Sequence, residues 1–136
     1  MSEANAEAAS KPSAYDRIGG AAGIRRLCQR FYALMDELPE AAACRAIHQA
    51  SLAESEQRLF EYLSFWLGGP PLFTERHGPP MLRARHEHAP IGNNETVGWL
   101  VCFHRAWTET VEDPELGKEI LPSVNSLALA MRNREG

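Results

Sequence analysis

The sequence predicts an all-α domain, and three observations favour that class. Apolar residues recur at intervals of three and four positions in four long stretches, the spacing of one helix face. The sequence lacks the strict apolar–polar alternation of β-strands and the turn signals of hairpins. Its 136 residues, 44% of them hydrophobic, suffice for one domain with its own core.

Four long helices are predicted from these stretches. Their apolar residues stay in phase over 21–37, 52–67, 94–111 and 115–132. Glycines and prolines at 68–71 end the second helix sharply. Pro122 lies inside the fourth, where it predicts either a kink or a later start.

Two other parts of the chain are less regular. The pairs Pro70-Pro71 and Pro79-Pro80 interrupt segment 70–93, which is therefore predicted to hold at most one short helix, around 81–87. Residues 1–13 are rich in Ala, Ser and Glu and have no periodic pattern. We expect them to form a mobile tail ahead of a domain spanning 14–136.

Composition and charge argue against several classes of protein. A net charge of -4 argues against a nucleic-acid surface. Cys28, Cys44 and Cys102 fit no metal motif, so we expect small buried side chains in a reducing compartment. The N-terminus has no signal-peptide pattern, and no apolar run approaches the roughly 20 residues that span a bilayer. We expect a soluble cytoplasmic protein with no membrane partner.

The histidines are the candidate ligands for a metal or cofactor. No pair of them has zinc-site spacing on a long helix, and neither a phosphate-binding loop nor a Gly-x-Ser-x-Gly elbow occurs. An apolar slot between helices with a histidine at its edge would suit a haem. On spacing alone, each histidine could equally be an ordinary surface or hydrogen-bonded residue. The five histidines are His48, His77, His86, His88 and His104.

Five motifs occur in order along the chain and together resemble the truncated haemoglobins. They are Tyr15-Asp16-Arg17-Ile18-Gly19-Gly20, Arg30-Phe31-Tyr32, Trp66-Leu67-Gly68-Gly69-Pro70, Leu82-Arg83-Ala84-Arg85-His86 and Trp99-Leu100. The Phe-Tyr pair, the Arg-x-Arg-His run and the tryptophan are similar to group II of that family. The resemblance covers about residues 15–133.

The resemblance implies a two-over-two helical sandwich around one haem b. No Cys-x-x-Cys-His motif occurs, so we expect the haem to be held non-covalently. By its place in the Leu-Arg-Ala-Arg-His run, His86 would be the iron ligand, with His88 as its competitor.

On the opposite face of the iron, the resemblance implies a pocket for a small ligand. Each expected residue also has an ordinary structural interpretation, such as core packing for Trp99, a surface loop for His48 or a helix start for Ser55. The polar donors would be Tyr32, His48 and Trp99. The full expected pocket is Tyr32, His48, Ser55, Leu59 and Trp99.

The resemblance also implies residues that hold the macrocycle. Arg58 and Arg85 would pair with the haem propionates, because a guanidinium group matches a carboxylate. The apolar walls would come from Phe31, Tyr62, Leu82 and Phe103.

Two departures from the family pattern affect the loop before His86. Pro79-Pro80-Met81 replaces a frequent His-Pro-Arg, and Phe73 stands where a tyrosine is common. They put in doubt the course of the loop and its hydrogen bonds.

The function that follows is binding of oxygen, carbon monoxide or nitric oxide, for transport, storage or sensing. Two alternatives stay open at this point. One is a redox enzyme at the same haem, with nitric oxide oxidation or peroxidase-like chemistry and an external reductase. The other is a helical interaction domain without haem. The sequence leaves open whether the protein is a monomer or a homodimer.

Overall fold

Eight α-helices and one 3-10 turn make up the part of the protein that the computed structural model describes, residues 12–135. The 3-10 turn spans Pro39–Ala41. The helices are α1 (Ala14–Ile18), α2 (Gly20–Glu37), α3 (Ala42–Ala46), α4 (Ala53–Trp66), α5 (Leu72–His77), α6 (Leu82–His86), α7 (Asn93–Thr110) and α8 (Pro114–Ala130).

The predicted all-α class is confirmed, and the four long helices lie where their apolar spacing placed them. Each of the four begins and ends within two residues of its predicted bounds. Pro122 lies inside α8 and does not delay its start at Pro114. Asp113 caps that start, because its side chain accepts hydrogen bonds from the backbone amides of Glu115 and Leu116.

The expectation that segment 70–93 holds at most one short helix was wrong. Helix α5 precedes α6 and lies between Pro71, its N-cap, and Gly78, its C-cap. Prolines 70 and 71 come before the first turn of α5, where a missing amide costs nothing, so they begin this helix and do not break it.

Helix α1 was also not predicted, and it involves part of the expected tail. Ser13 forms a capping box with Asp16 at the start of α1, and the backbone amide of Tyr15 donates to the carbonyl of Leu67. Residues 1–11 of the expected tail lie outside the described residues.

The core lies between the long helices. Helix α2 packs on α4 and α7, and α7 packs on α8. Fully buried apolar side chains fill the space between them, and burial of this kind supplies most of the folding free energy. The largest are Ile24, Leu27, Phe31, Leu34, Met35, Phe103 and Leu116.

A close approach at Gly98 brings the 3-10 turn and α3 against α7. A Cβ atom at this position would lie 3.0 Å from the Glu40 carbonyl oxygen and 3.1 Å from the Ala41 Cα. Only glycine lets the two backbones pack this tightly. The contact places Cys44 and His48 opposite the next residue of α7, Trp99.

Cys28, Cys44 and Cys102 are free thiols and all three are buried. Burial raises the pKa of Cys28 and of Cys44 to about 12 and that of Cys102 to about 11, so the thiols stay protonated. Across residues 12–135, no helix has the length and hydropathy required to cross a membrane.

Candidate functional site

A cavity of about 420 Å³ opens between the long helices and the segment that carries α5 and α6. Its volume lies in the usual range for a small-molecule or cofactor site. Helices α2, α3, α4 and α7 form one wall, and α6, the loop after it and the end of α8 form the other. Three of the long helices therefore stand opposite a wall built mainly from short elements and the end of α8.

The structure brings almost all of the expected site residues to this cavity. The exception is Phe31, which is fully buried behind the wall. Its ring contacts Tyr32, Trp99 and Phe103 edge-on, with centroids 4.7, 5.0 and 5.8 Å away. Phe31 thus supports the wall from behind. The residues on the cavity are Tyr32, His48, Ser55, Arg58, Leu59, Tyr62, Leu82, Arg85, His86, Trp99 and Phe103.

His86 is the last residue of α6 and is half-buried on the cavity wall. Its Nδ1 lies 2.6 Å from the backbone carbonyl oxygen of Leu82, one turn earlier. A carbonyl can only accept, so Nδ1 carries the proton and the lone pair lies on Nε2. This is how proteins orient a histidine that binds a metal.

His88, the competitor, also lies on the cavity. It follows α6 and is exposed, and its ring makes no hydrogen bond within residues 12–135. Nothing in that part of the chain therefore orients the His88 ring as Leu82 orients that of His86.

Tyr32 and Trp99 carry polar groups on the long-helix wall. Burial raises the pKa of Tyr32 far above its ordinary value, and the neighbouring Cys28 and Cys44 add to the shift, so its hydroxyl keeps its proton and can donate. The Trp99 indole stacks on Phe103 with centroids 5.1 Å apart. Within the described residues, neither the hydroxyl nor the indole N–H has a protein partner.

His48 lies beside Tyr32, with ring centroids 6.1 Å apart. Its Nδ1 is 2.8 Å from the carbonyl oxygen of Cys44. By the same reasoning as for His86, Nδ1 carries the proton, and neutral His48 presents Nε2 as an acceptor. Neutral His48 therefore has no N–H left for a ligand, whereas Tyr32 and Trp99 both carry donors on this wall.

Ser55 and Leu59 face the cavity one turn apart on α4, followed by Tyr62. Ser55 lies in the first turn of the helix and is half-buried. Leu82 begins α6 and closes the opposite side. These side chains make the cavity narrow and mostly apolar, which suits a flat macrocycle.

The two arginines expected to bind propionates both have partners within the protein. Arg58 donates to Glu54 at 2.6 Å, in an exposed ion pair one turn apart. Arg85 donates to the carbonyl oxygens of His77, Pro79 and Pro80 at 2.6, 3.0 and 2.6 Å. Arg85 thereby holds the loop before α6 in place.

His77 and Glu61 are site residues that the sequence analysis did not select. His77 ends α5 and lies on the cavity, and its Nε2 is 2.9 Å from Oε1 of Glu61. Glu61 is only 2% exposed. The available signal was a carboxylate among the apolar residues of α4, but its partner lies 16 residues away and the spacing does not reveal it.

The charge on Glu61 is stabilised despite its burial. Burial alone would raise the carboxyl pKa, but hydrogen bonds from His77 and Gln57 and the charge of Arg76 together hold it below its ordinary value. The other oxygen lies 3.2 Å from Nε of Arg76 and 3.3 Å from Nε2 of Gln57. Glu61 is therefore an anion close behind the cavity wall.

An all-α fold around a largely apolar cavity, with carbonyl-oriented imidazoles on opposite walls at His86 and His48, is the arrangement of a haem-binding globin. The residues present fit that cofactor, because His86 offers a nitrogen lone pair and the walls are aromatic and aliphatic. Comparison with known sequences agrees: the profile of the family described as bacterial-like globin matches residues 13–133. The chain belongs to this family.

Several relatives are similar over most of their length. The group 2 truncated hemoglobin YjbI of Bacillus subtilis is 32% identical over 120 residues, covering 88% of each chain. A group II 2-on-2 hemoglobin from Agrobacterium tumefaciens has a TM-score of 0.91 at 50% identity, covering 93% of this chain and 98% of the other. A cold-adapted truncated hemoglobin from Pseudoalteromonas haloplanktis has a TM-score of 0.88 at 35% identity, covering 90% and 99%.

These findings establish the coarse function. The fold is that of the truncated 2-on-2 globins, and membership of the family implies a haem cofactor and small gaseous ligands such as oxygen. The resemblance in the sequence motifs is thereby confirmed.

Proposed function

We propose that the chain binds one haem b non-covalently through Nε2 of His86 and holds a diatomic ligand, above all oxygen, between the haem and the wall formed by α2, α4 and α7. The haem would supply an iron centre with one coordination position left for the ligand. The chain's own residues would supply the iron-binding imidazole of His86, the apolar walls and the hydrogen-bond donors.

One observation carries the assignment of His86. The Leu82 carbonyl fixes the proton on Nδ1, and the Nε2 lone pair lies on the cavity wall. An imidazole held in this tautomer needs no rearrangement to bind a metal. His88 shares the cavity but lacks the orienting hydrogen bond, which favours His86.

On the other wall, Tyr32 and Trp99 would hold the ligand. These two donors would stabilise partial negative charge on an oxygen held by the haem and would so slow its release. The Tyr32 hydroxyl and the Trp99 N–H lie on the cavity and make no hydrogen bond to protein within residues 12–135. Neutral His48 would act differently, because its only N–H is already engaged with the Cys44 carbonyl and is not available to the ligand.

Replacement of single histidines tests the proposal. His86→Gly should bind haem only weakly after reconstitution with haemin, and added imidazole should restore the absorption spectrum because it can occupy the space of the missing ring. His88→Gly is the matched control and should retain the wild-type spectrum. Normal ferrous spectra in His86→Gly, with the loss in His88→Gly, would reverse the assignment.

A further inference from the structure

A buried carboxylate lies directly behind the edge of the cavity that carries its arginines. Arg58 comes three residues before Glu61 on the same face of α4. The Glu61 side chain is almost completely shielded from water. Burying an anion costs free energy unless donors surround it. Here the donors are His77, Gln57 and Arg76, so both carboxylate oxygens are satisfied.

Three contacts fix His77, the only one of these donors that reaches the cavity. Its ring donates to Glu61 through Nε2 and packs against Phe73, with centroids 4.8 Å apart. Its backbone carbonyl accepts from Arg85 at 2.6 Å. Both the backbone and the ring of His77 are therefore held in one position on the cavity wall.

We propose that Glu61 is a positioning residue that holds His77 as a hydrogen-bond donor to a carboxylate of the bound haem. This inference rests on the proposed function. The haem has two carboxylates, whereas the two arginines on the cavity are engaged elsewhere, one with Glu54 and the other with loop carbonyls. His77 also lies on the cavity wall, and in its charged form it has a second N–H to donate.

The chemistry of the pair fits this role. Because Nε2 donates to Glu61, the charged form of His77 has Nδ1–H left for a second acceptor. The anion at Glu61 thus orients the ring and balances its charge.

A purely structural role for the pair would not require a charge. An apolar residue of similar volume can anchor a short helix such as α5 at equal or lower cost than a buried ion pair. The two roles predict different responses when the haem carboxylates are blocked, and that difference is the basis of the test.

The experiment measures the rate of haem loss to an acceptor apoglobin from protein reconstituted with haemin or with iron protoporphyrin IX dimethyl ester. His77→Leu should lose haemin about ten- to a hundredfold faster than wild type, the effect of one charged hydrogen bond. It should lose the ester at the wild-type rate within about twofold. Glu61→Gln should show the same pattern with a smaller change, and the double variant should not exceed His77→Leu.

His104→Leu is the matched control. His104 also donates to a polar side chain, from Nε2 to Oδ1 of Asn125 at 2.7 Å, but it does not line the cavity. It should leave both rates unchanged. Thermal unfolding of each apoprotein shows whether α5 remains folded.

Equal acceleration with haemin and with the ester, in His77→Leu or Glu61→Gln, would overturn the proposal and leave the pair as a structural anchor. No acceleration with either compound would overturn it as well. Wild-type protein that takes up neither compound would contradict the proposed function itself, which separates the two failures.

Discussion

The two walls of the cavity are held together by different forces. The wall of α2, α4 and α7 rests on fully buried apolar side chains such as Phe31 and Phe103. In the opposite wall, Phe73 is the only buried residue between positions 68 and 90, and α6 has none. Hydrogen bonds from side chains to the backbone hold that segment.

Two residues make most of those hydrogen bonds. Arg85 binds three carbonyls of the loop before α6. Asn133, after the end of α8, donates to the carbonyls of His86 and Ala89 and accepts from the amide of Ile91. The proposed iron ligand is thus held by polar contacts, while the ligand-facing donors stand on a packed core. Loss of apolar volume should therefore cost more stability on the packed wall than on the opposite wall.

The largest expected effect is the loss of stability when a buried side chain of the packed wall is removed. Phe31→Ala should lower the free energy of unfolding by about 3–5 kcal/mol, because it leaves a cavity in a close-packed core. Leu82→Ala, on the opposite wall and half-buried, should cost less than about 1.5 kcal/mol. Urea unfolding of the two apoproteins measures both values. Similar losses would show that the two walls do not differ in this way.

The second prediction concerns a substitution on the packed wall that changes ligand binding but keeps the packing. Trp99→Phe keeps an aromatic ring but removes the N–H donor. Loss of one buried hydrogen bond costs about 1–3 kcal/mol, so oxygen should dissociate roughly 5- to 150-fold faster. Carbon monoxide, which is less polar when bound, should change less.

Stopped-flow measurement of the oxygen dissociation rate checks this second prediction, with Trp107→Phe as the control because Trp107 is buried away from the cavity. Adding Tyr32→Phe to Trp99→Phe should increase the rate further. If the rate is unchanged in both the single and the double variant, Trp99 packs in the core and does not donate to the ligand.

Sequence patterns predicted the packed wall far better than the opposite one. The repeat of Ile24, Leu27 and Phe31 is visible because periodic burial selects apolar residues over a whole helix. Helices α1 and α5 have five and six residues, too few for a period, and are defined by caps instead. His86 and the ligand pocket were expected from family motifs, not from spacing.

Long-range polar contacts could not be predicted for a different reason. A carbonyl acceptor is available at every residue, so nothing in the sequence shows that Arg85 binds loop carbonyls and not a haem propionate. The same holds for the pairing of Glu61 with His77. The partners in these contacts depend on how distant segments of the chain are arranged in space.

The third prediction tests the polar wall. Asn133→Ala should lower apoprotein stability by about 1–2 kcal/mol, because the His86 and Ala89 carbonyls lose their donor. It should also shift the iron–histidine stretching band in resonance Raman spectra of the ferrous protein, because α6 can reorient. Asn125→Ala, whose partner His104 lies off the cavity, should leave the band unchanged. A shift in neither variant would mean that Asn133 does not position His86.

The smallest expected effect is the pH dependence contributed by Glu61. Since its folded-state pKa is lower than the ordinary value of 4.5, Glu61 stabilises the fold above that pH and loses its contribution as the pH falls through the lower folded-state value. Glu61→Gln should therefore flatten the acid side of the stability profile of the apoprotein. Urea unfolding across the acid range measures both profiles. If the variant and the wild type lose stability in parallel, the fold does not stabilise the Glu61 carboxylate.

Titration of the apoprotein with haemin, followed by absorption spectra, tests the central claim most directly. The account predicts a sharp Soret band that saturates at about one haemin per chain, since the proposal places one macrocycle in the cavity. After reduction, the spectrum should change on addition of carbon monoxide. A broad band that never saturates, with no response to carbon monoxide, would contradict a haem bound through His86.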